Sequence, residues 1–201
     1  DCRLVERVKD LSRVVDTLDA LLVIGSNLRA ELPMLAHRVR KAALRGARVS
    51  FLNPAAFTCL FPVAGSIVSS ASGLVRELAG VLLAALEIRG QSASPAVRAL
   101  VSGLTVSDAQ RQIATSLQQG QRSIWLGALA LRHSAYADLR ALARELARVT
   151  GSTLGELAEG ANSAGACLAG CLPHRAAGGA ARATVGLNAR QMLERPLAAY
   201  L

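Results

Sequence analysis

Residues 21–33, LLVIGSNLRAELP, set four large apolar side chains in a row before a glycine, a short polar turn and a proline. A strand with one wet face alternates apolar and polar residues. An unbroken run belongs to a strand buried on both faces, as in a parallel sheet covered by helices. The following segment reads as a helix from Leu32 to Arg45, with Pro33 in the first turn, where its missing N–H does no harm, and Gly46 as the residue just past the end. Leu32, Leu35, Val39 and Ala42 recur at spacings of three and four, leaving His37, Arg38, Lys41 and Arg45 toward water. A second strand, ARVSFLNP at 47–54, closes a βαβ unit.

The pattern returns about a hundred residues later. Residues 123–133, SIWLGALALRH, give a strand and turn with Gly127 in the place of Gly25. SAYADLRALARELARVTG (134–151) follows as a helix capped by Ser134 and closed by Gly151, its apolar face formed by Leu139, Leu142, Leu146 and Val149. STLGELA (152–158) is a weaker strand. Between the copies, helices are predicted in 73–88, 94–104 and, starting at Ser107, 106–120. Strands alternating with helices of this length give an α/β fold: a mostly parallel sheet flanked by helices, built from two Rossmann-like βαβ halves. The chain divides into an N-terminal arm (1–15), a first βαβ half (16–65), a helical connection (66–120), a second βαβ half (121–173), a flexible Gly/Ala-rich loop (174–186) and the start of a truncated next element (187–201).

The totals narrow the function classes. A chain of 201 residues with 52% hydrophobic but only 3% aromatic residues builds its core from Ala, Leu and Val. The formal charge of +9 raises nucleic acid as a partner. Its arginines, however, are interspersed with acids, and rings for base stacking are scarce, so no nucleic-acid binding is expected. The uncharged stretch 49–75 holds Asn53, Pro54, Pro62 and Gly65, and the apolar run 78–86 is short and bounded by Glu77 and Glu87; no membrane insertion is expected. Four irregularly spaced cysteines do not form a disulfide framework and point to a reduced, intracellular chain. The chain opens at Asp1 without a methionine and closes on LAAYL, which reads as the beginning of a strand, so a piece of a longer protein is expected.

Gly25, Ser26 and Asn27 stand where a strand turns into a helix, the position at which open α/β sheets bind ligands. Neither G-x-G-x-x-G nor a Gly-Lys-Ser/Thr ending is present. Asn162 and Gly165 mark a second tight turn. Cys167, Cys171 and His174 form C-x3-C-x2-H, which would need a fourth ligand such as Cys59 to hold a metal. The spacing matches no common zinc or iron–sulfur framework, and AGACLAGCLP reads as a small-residue helix in which cysteine packs like a larger alanine. His133 lies at the second strand–turn–helix junction without a carboxylate or nucleophile motif beside it. No catalytic and no metal-ligating residue is assigned.

Two segments carry a resemblance. Residues 19–54 are similar to the G-x-N-x-x-x-E-x-P strand–turn–helix of the molybdopterin oxidoreductase family, at Gly25, Asn27, Glu31 and Pro33; GANSAGACLAGCLP (160–173) resembles that family's N-x-x-G-A segment, at Asn162, Gly165 and Ala166. Residues 111–166 and 186–201 look most like the large G subunit of bacterial NADH-quinone oxidoreductase, respiratory complex I. The resemblance implies a scaffold domain on the cytoplasmic, peripheral arm of an inner-membrane complex. It would support NADH-to-quinone electron transfer without a redox centre of its own, with iron–sulfur clusters elsewhere in the parent subunit. Gly25, Ser26, Asn27, Asn162 and Gly165 would then be vestigial cofactor-site positions, and the partners would be other domains of the subunit and other complex I subunits. Two alternatives stay open: part of a catalytic molybdopterin-dependent oxidoreductase, and the nucleotide-binding central domain of a thiamine-diphosphate enzyme, which also shows D-x-L-L-x-x-G before a basic helix.

Overall fold

The structure, a computed structural model, describes residues 15–157, 160, 162–195 and 198–199. The chain forms two compact units, one of residues 10–157 and one of 1–9 with 158–201.

The larger unit is a five-stranded, all-parallel sheet flanked by helices. In chain order its elements are β1 (Ala20–Ile24), α1 (Leu28–Glu31), α2 (Pro33–Leu44), β2 (Arg48–Asn53), β3 (Gly65–Val68), α3 (Leu74–Arg89), α4 (Arg98–Val101), α5 (Asp108–Ser116), β4 (Arg122–Leu126), α6 (Ala128–Leu131), α7 (Tyr136–Thr150) and β5 (Thr153–Glu156). The strand order is β3-β2-β1-β4-β5, with Ile24 in register with Leu52 on one side and Leu126 on the other. The chain thus builds outward from β1 through β2 to β3, then returns to add β4 and β5 on the other flank. The reversal makes a crevice between the carboxyl ends of β1 and β4.

All five residues of β1 are buried, as its unbroken apolar run requires. Alternate residues feed two cores. Ala20, Leu22 and Ile24 join Leu78, Leu82, Ile113, Leu139 and Leu142, from α3, α5 and α7. Leu21 and Val23 join Val39, Ala43, Phe51 and Trp125 on the α2 face. Helix α2 ends as its sequence indicates: the Gly46 and Ala47 N–H groups donate to the carbonyls of Ala43 and Ala42, with Gly46 at φ +107°.

Several expectations are corrected in detail. The helix read from Leu32 is split: Leu28–Glu31 forms a separate turn before Pro33–Leu44, because proline restricts Leu32 to non-helical backbone (φ −140°, ψ 72°). Leu35 is half-buried; Val39 and Ala42 carry the fully buried face. Ser134 does not cap α7, whose first residue follows Ala135. Strand β3 was hidden at the edge of the expected helical connection: four residues, GSIV, with one buried side chain give too short a pattern to read. The segment 94–104 contributes only the turn α4.

The second unit contains α8 (Ser163–Leu168) and α9 (Ala189–Glu194). Its Gly/Ala-rich loop folds on itself, Arg175 bridging to both Leu172 and Ala181. Most of the N-terminal arm and of the closing LAAYL lies outside the described residues. Among the described residues, no helix is long and apolar enough to cross a membrane.

Candidate functional site

The crevice between β1 and β4 is where backbone donors would face a ligand, and the chain's own atoms occupy them. Gly25 turns at φ +62° and donates to the Leu52 carbonyl at 2.8 Å. The Ser26 N–H donates to Asn53 Oδ1 at 2.8 Å, and Asn53 Nδ2 donates back to the Ser26 carbonyl at 3.0 Å. Both residues are buried. The Glu31 carboxylate then gathers three donors: the Asn27 N–H at 2.8 Å, the Ser26 hydroxyl at 2.8 Å and the Ala128 N–H at 3.2 Å. The next two amides of α6, Leu129 and Ala130, both donate to the Gly25 carbonyl, at 2.9 and 3.3 Å.

Packing is as tight as the hydrogen bonding. A Cβ on Gly25 would sit 2.5 Å from the Ala130 nitrogen, and one on Gly127 would strike the Ser26 Cβ. The glycines matched in the two halves let the two turns touch each other. A helix start with free N–H groups and a positive dipole end is suited to an anion; here Glu31 is that anion. Its part in closing the crevice was not read from the sequence. The available signal was an acid one helical turn after Asn27, a spacing that lets a carboxylate return to the turn's backbone.

Of the five expected vestigial positions, Gly25, Ser26 and Asn27 therefore come together in this closed turn. Asn162 and Gly165 belong to the other unit, where Asn162 caps α8, its Oδ1 accepting from the Gly165 N–H at 3.2 Å. Cys167 is a half-buried and Cys171 an exposed free thiol. Among the described residues, no three His, Cys, Asp or Glu side chains gather into a metal-binding group. His133 has both ring nitrogens engaged. Nδ1 accepts from the Ala135 N–H at 3.0 Å, so Nε2 carries the proton donated to the Ala71 carbonyl at 2.7 Å. This histidine ties the α6–α7 corner to the start of α3.

A polar cluster lies at the end of β5. The Tyr136 hydroxyl donates to Glu156 Oε1 at 2.7 Å, and Arg140 Nε donates to the same oxygen at 2.9 Å. Burial, followed by the bond to the Glu156 carboxylate, pushes the Tyr136 phenol up to about 12.

A cleft of about 300 Å³ opens beside the first turn of the larger unit. Its walls come from Ser26–Arg29, the early residues of α2 and the segment 57–61. The three phenylalanines of the whole chain, Phe51, Phe57 and Phe61, all line it. Phe51 and Phe61 stand 6.3 Å apart, tilted by 36°. Cys59 is half-buried there, and burial raises its thiol above the ordinary range, so it stays protonated and is a poor nucleophile. Arg29, His37 and Arg40 also line the cleft, and among the described residues no acidic side chain does.

Comparison with known proteins gives one kind of likeness. No family model matches the chain, and no curated protein matches it in sequence. In fold, the chain is similar to a chain in the X-ray crystal structure of the formyltransferase/hydrolase complex (FhcABCD) from Methylorubrum extorquens in complex with methylofuran. The TM-score is 0.54 at 18% identity, over 89% of this chain and 48% of that one. The chain thus spans about half the length of that neighbour, and at this identity the likeness shows the fold.

This overturns the resemblance drawn from the sequence. The neighbour belongs to a formyltransferase/hydrolase complex, not to NADH-quinone oxidoreductase. The complex I scaffold role, the complex I subunits as partners and the peripheral-arm location are therefore withdrawn. The molybdopterin-enzyme and thiamine-diphosphate alternatives gain no support either. The physical reason is visible in the turn. Gly25 makes the bend, Asn27 starts α1, Glu31 closes the crevice and Pro33 opens α2. Each residue has a local task that any βα turn of this shape can impose, so their spacing carries the fold without the function.

Proposed function

We propose that this chain is a structural component of a formyltransferase/hydrolase-type assembly, binding partner subunits and leaving the transfer chemistry to them. The observation that carries this reading is Glu31, whose carboxylate takes the donors a ligand would need at the β1–β4 crevice. Where an enzyme of this architecture keeps backbone amides open, this chain has satisfied them internally. The fold likeness to a chain of a formyltransferase/hydrolase complex supports the choice of assembly. Protein partners also suit the exposed apolar side chains of Met34, Leu44 and Leu60.

The test is to express the tagged full-length protein in its own cells and identify what co-elutes. Stoichiometric recovery with formyltransferase/hydrolase subunits is the expected result. A chain that elutes alone, or one whose single tryptophan, Trp125, reports micromolar nucleotide binding, would overturn it.

A further inference from the structure

The cleft beside the first turn combines an apolar interior with a one-signed margin. Phe51, Phe57 and Phe61 supply its rings in a chain with only 3% aromatic residues. Leu60 stands 58% exposed on its wall. Arg40, also exposed, donates from Nε to the Leu60 carbonyl at 3.1 Å and so pins the segment 57–61 to α2. This bond joins the two walls of the cleft, and a pocket for a large side chain is what the centre of a protein interface provides. Leu44, 59% exposed, continues the helical stripe of Pro33, His37 and Arg40 at spacings of four, three and four, so an exposed apolar side chain lies one helical turn past the cleft along α2.

We infer that this cleft is the docking site for a segment of a partner subunit that inserts a large apolar side chain flanked by Asp or Glu. The inference rests on the assembly reading above and names its surface. Charge complementarity selects the occupant: among the described residues, Arg29 and Arg40 stand at the cleft without an acidic lining residue, on a chain of net charge +9. A second copy of this chain would bring the same positive charge to the contact. An acidic, apolar segment satisfies both the rings and the arginines.

Two measurements on the full-length protein test this. Leu60→Asp and Arg29→Glu alter exposed side chains and leave both cores intact. Each should weaken recovery of the partner roughly tenfold or more, with an unchanged melting temperature. Cys59, mapped by peptide mass spectrometry, should react with N-ethylmaleimide more slowly in the assembly than in the isolated chain. Partner recovery that is unchanged in both variants, with Cys59 equally reactive in both states, sinks the docking site and leaves the assembly reading standing. Failure of the wild type to recover any formyltransferase/hydrolase subunit removes both. Protection of Cys59 in the isolated chain that rises with its own concentration would assign the cleft to a second copy instead, and protection lost on extracting a small molecule would assign it to a ligand.

Discussion

Glu31 accepts a hydrogen bond from the backbone nitrogen of Ala128 at 3.2 Å, across 97 residues of sequence. This contact links the first strand–turn–helix to the second at the centre of the sheet. Because Glu31 also takes the Asn27 N–H and the Ser26 hydroxyl, its removal leaves donors in the crevice without their acceptor. Glu31→Ala should cost about 1–3 kcal/mol, and Glu31→Gln less, since the amide oxygen still accepts. A denaturant titration of the three proteins checks the order. Equal midpoints would mean that water replaces the carboxylate freely.

Ser50 offers the opposite case. Its hydroxyl is buried beside Gly65 and has no hydrogen-bond partner among the described residues. An unpaired buried polar group costs free energy, so Ser50→Ala should be neutral or stabilising by about 1 kcal/mol. Thermal unfolding would show this as an unchanged or raised midpoint.

The Tyr136 phenol should ionise at about 12, held up by burial and by Glu156. The folded value lies above the 10.0 of a free tyrosine phenol. Its contribution to stability is therefore complete below that value and is lost as pH rises through it toward 12. Ultraviolet titration should show a late tyrosine step, and Tyr136→Phe should abolish it.

Among the described residues, Glu145 is the carboxyl whose pKa is lowered by its partners. Arg148 donates to it from both Nε and Nη2, and the Ser94 N–H adds a third bond at 3.1 Å. The Arg148 bonds are the main cause of its lowered pKa, outweighing the effect of burial. A lowered folded value means stability that is present above the ordinary carboxylate range and is lost as pH falls through the folded value. Glu145→Gln should flatten the acid limb of a stability–pH curve. An unchanged slope would place the acid sensitivity elsewhere.

Helix α2 provides the packing control. Val39 is fully buried against β1, while Met34 on the same helix is 75% exposed. Val39→Ala should destabilise by roughly 1–3 kcal/mol as a core truncation, and Met34→Ala should stay within about 0.5 kcal/mol. Chemical denaturation that gives both the same effect would mean the buried face has been misassigned.

The layers of the fold are legible in local patterning. Four consecutive apolar residues at 21–24, cut short by Gly25, match a short strand buried on both faces, and the three-and-four spacing of Leu139, Leu142 and Leu146 matches a helix face turned to a core. Those are local periodicities, set by the pitch of strand and helix, and they survive without knowledge of the neighbours. Only the tertiary structure decided what the central turn holds. Glu31 meets Ala128 because the return from β3 to β4 places two distant turns side by side, and no local pattern encodes that meeting. The same holds for the cleft: Phe51 reads as a strand residue, Phe57 and Phe61 belong to no element read from the sequence, and they share one space because α2 and the segment 57–61 are drawn together over the sheet. A motif shared through backbone geometry fixed the fold class, while the function depends on which side chains that geometry brings together and which donors they leave open.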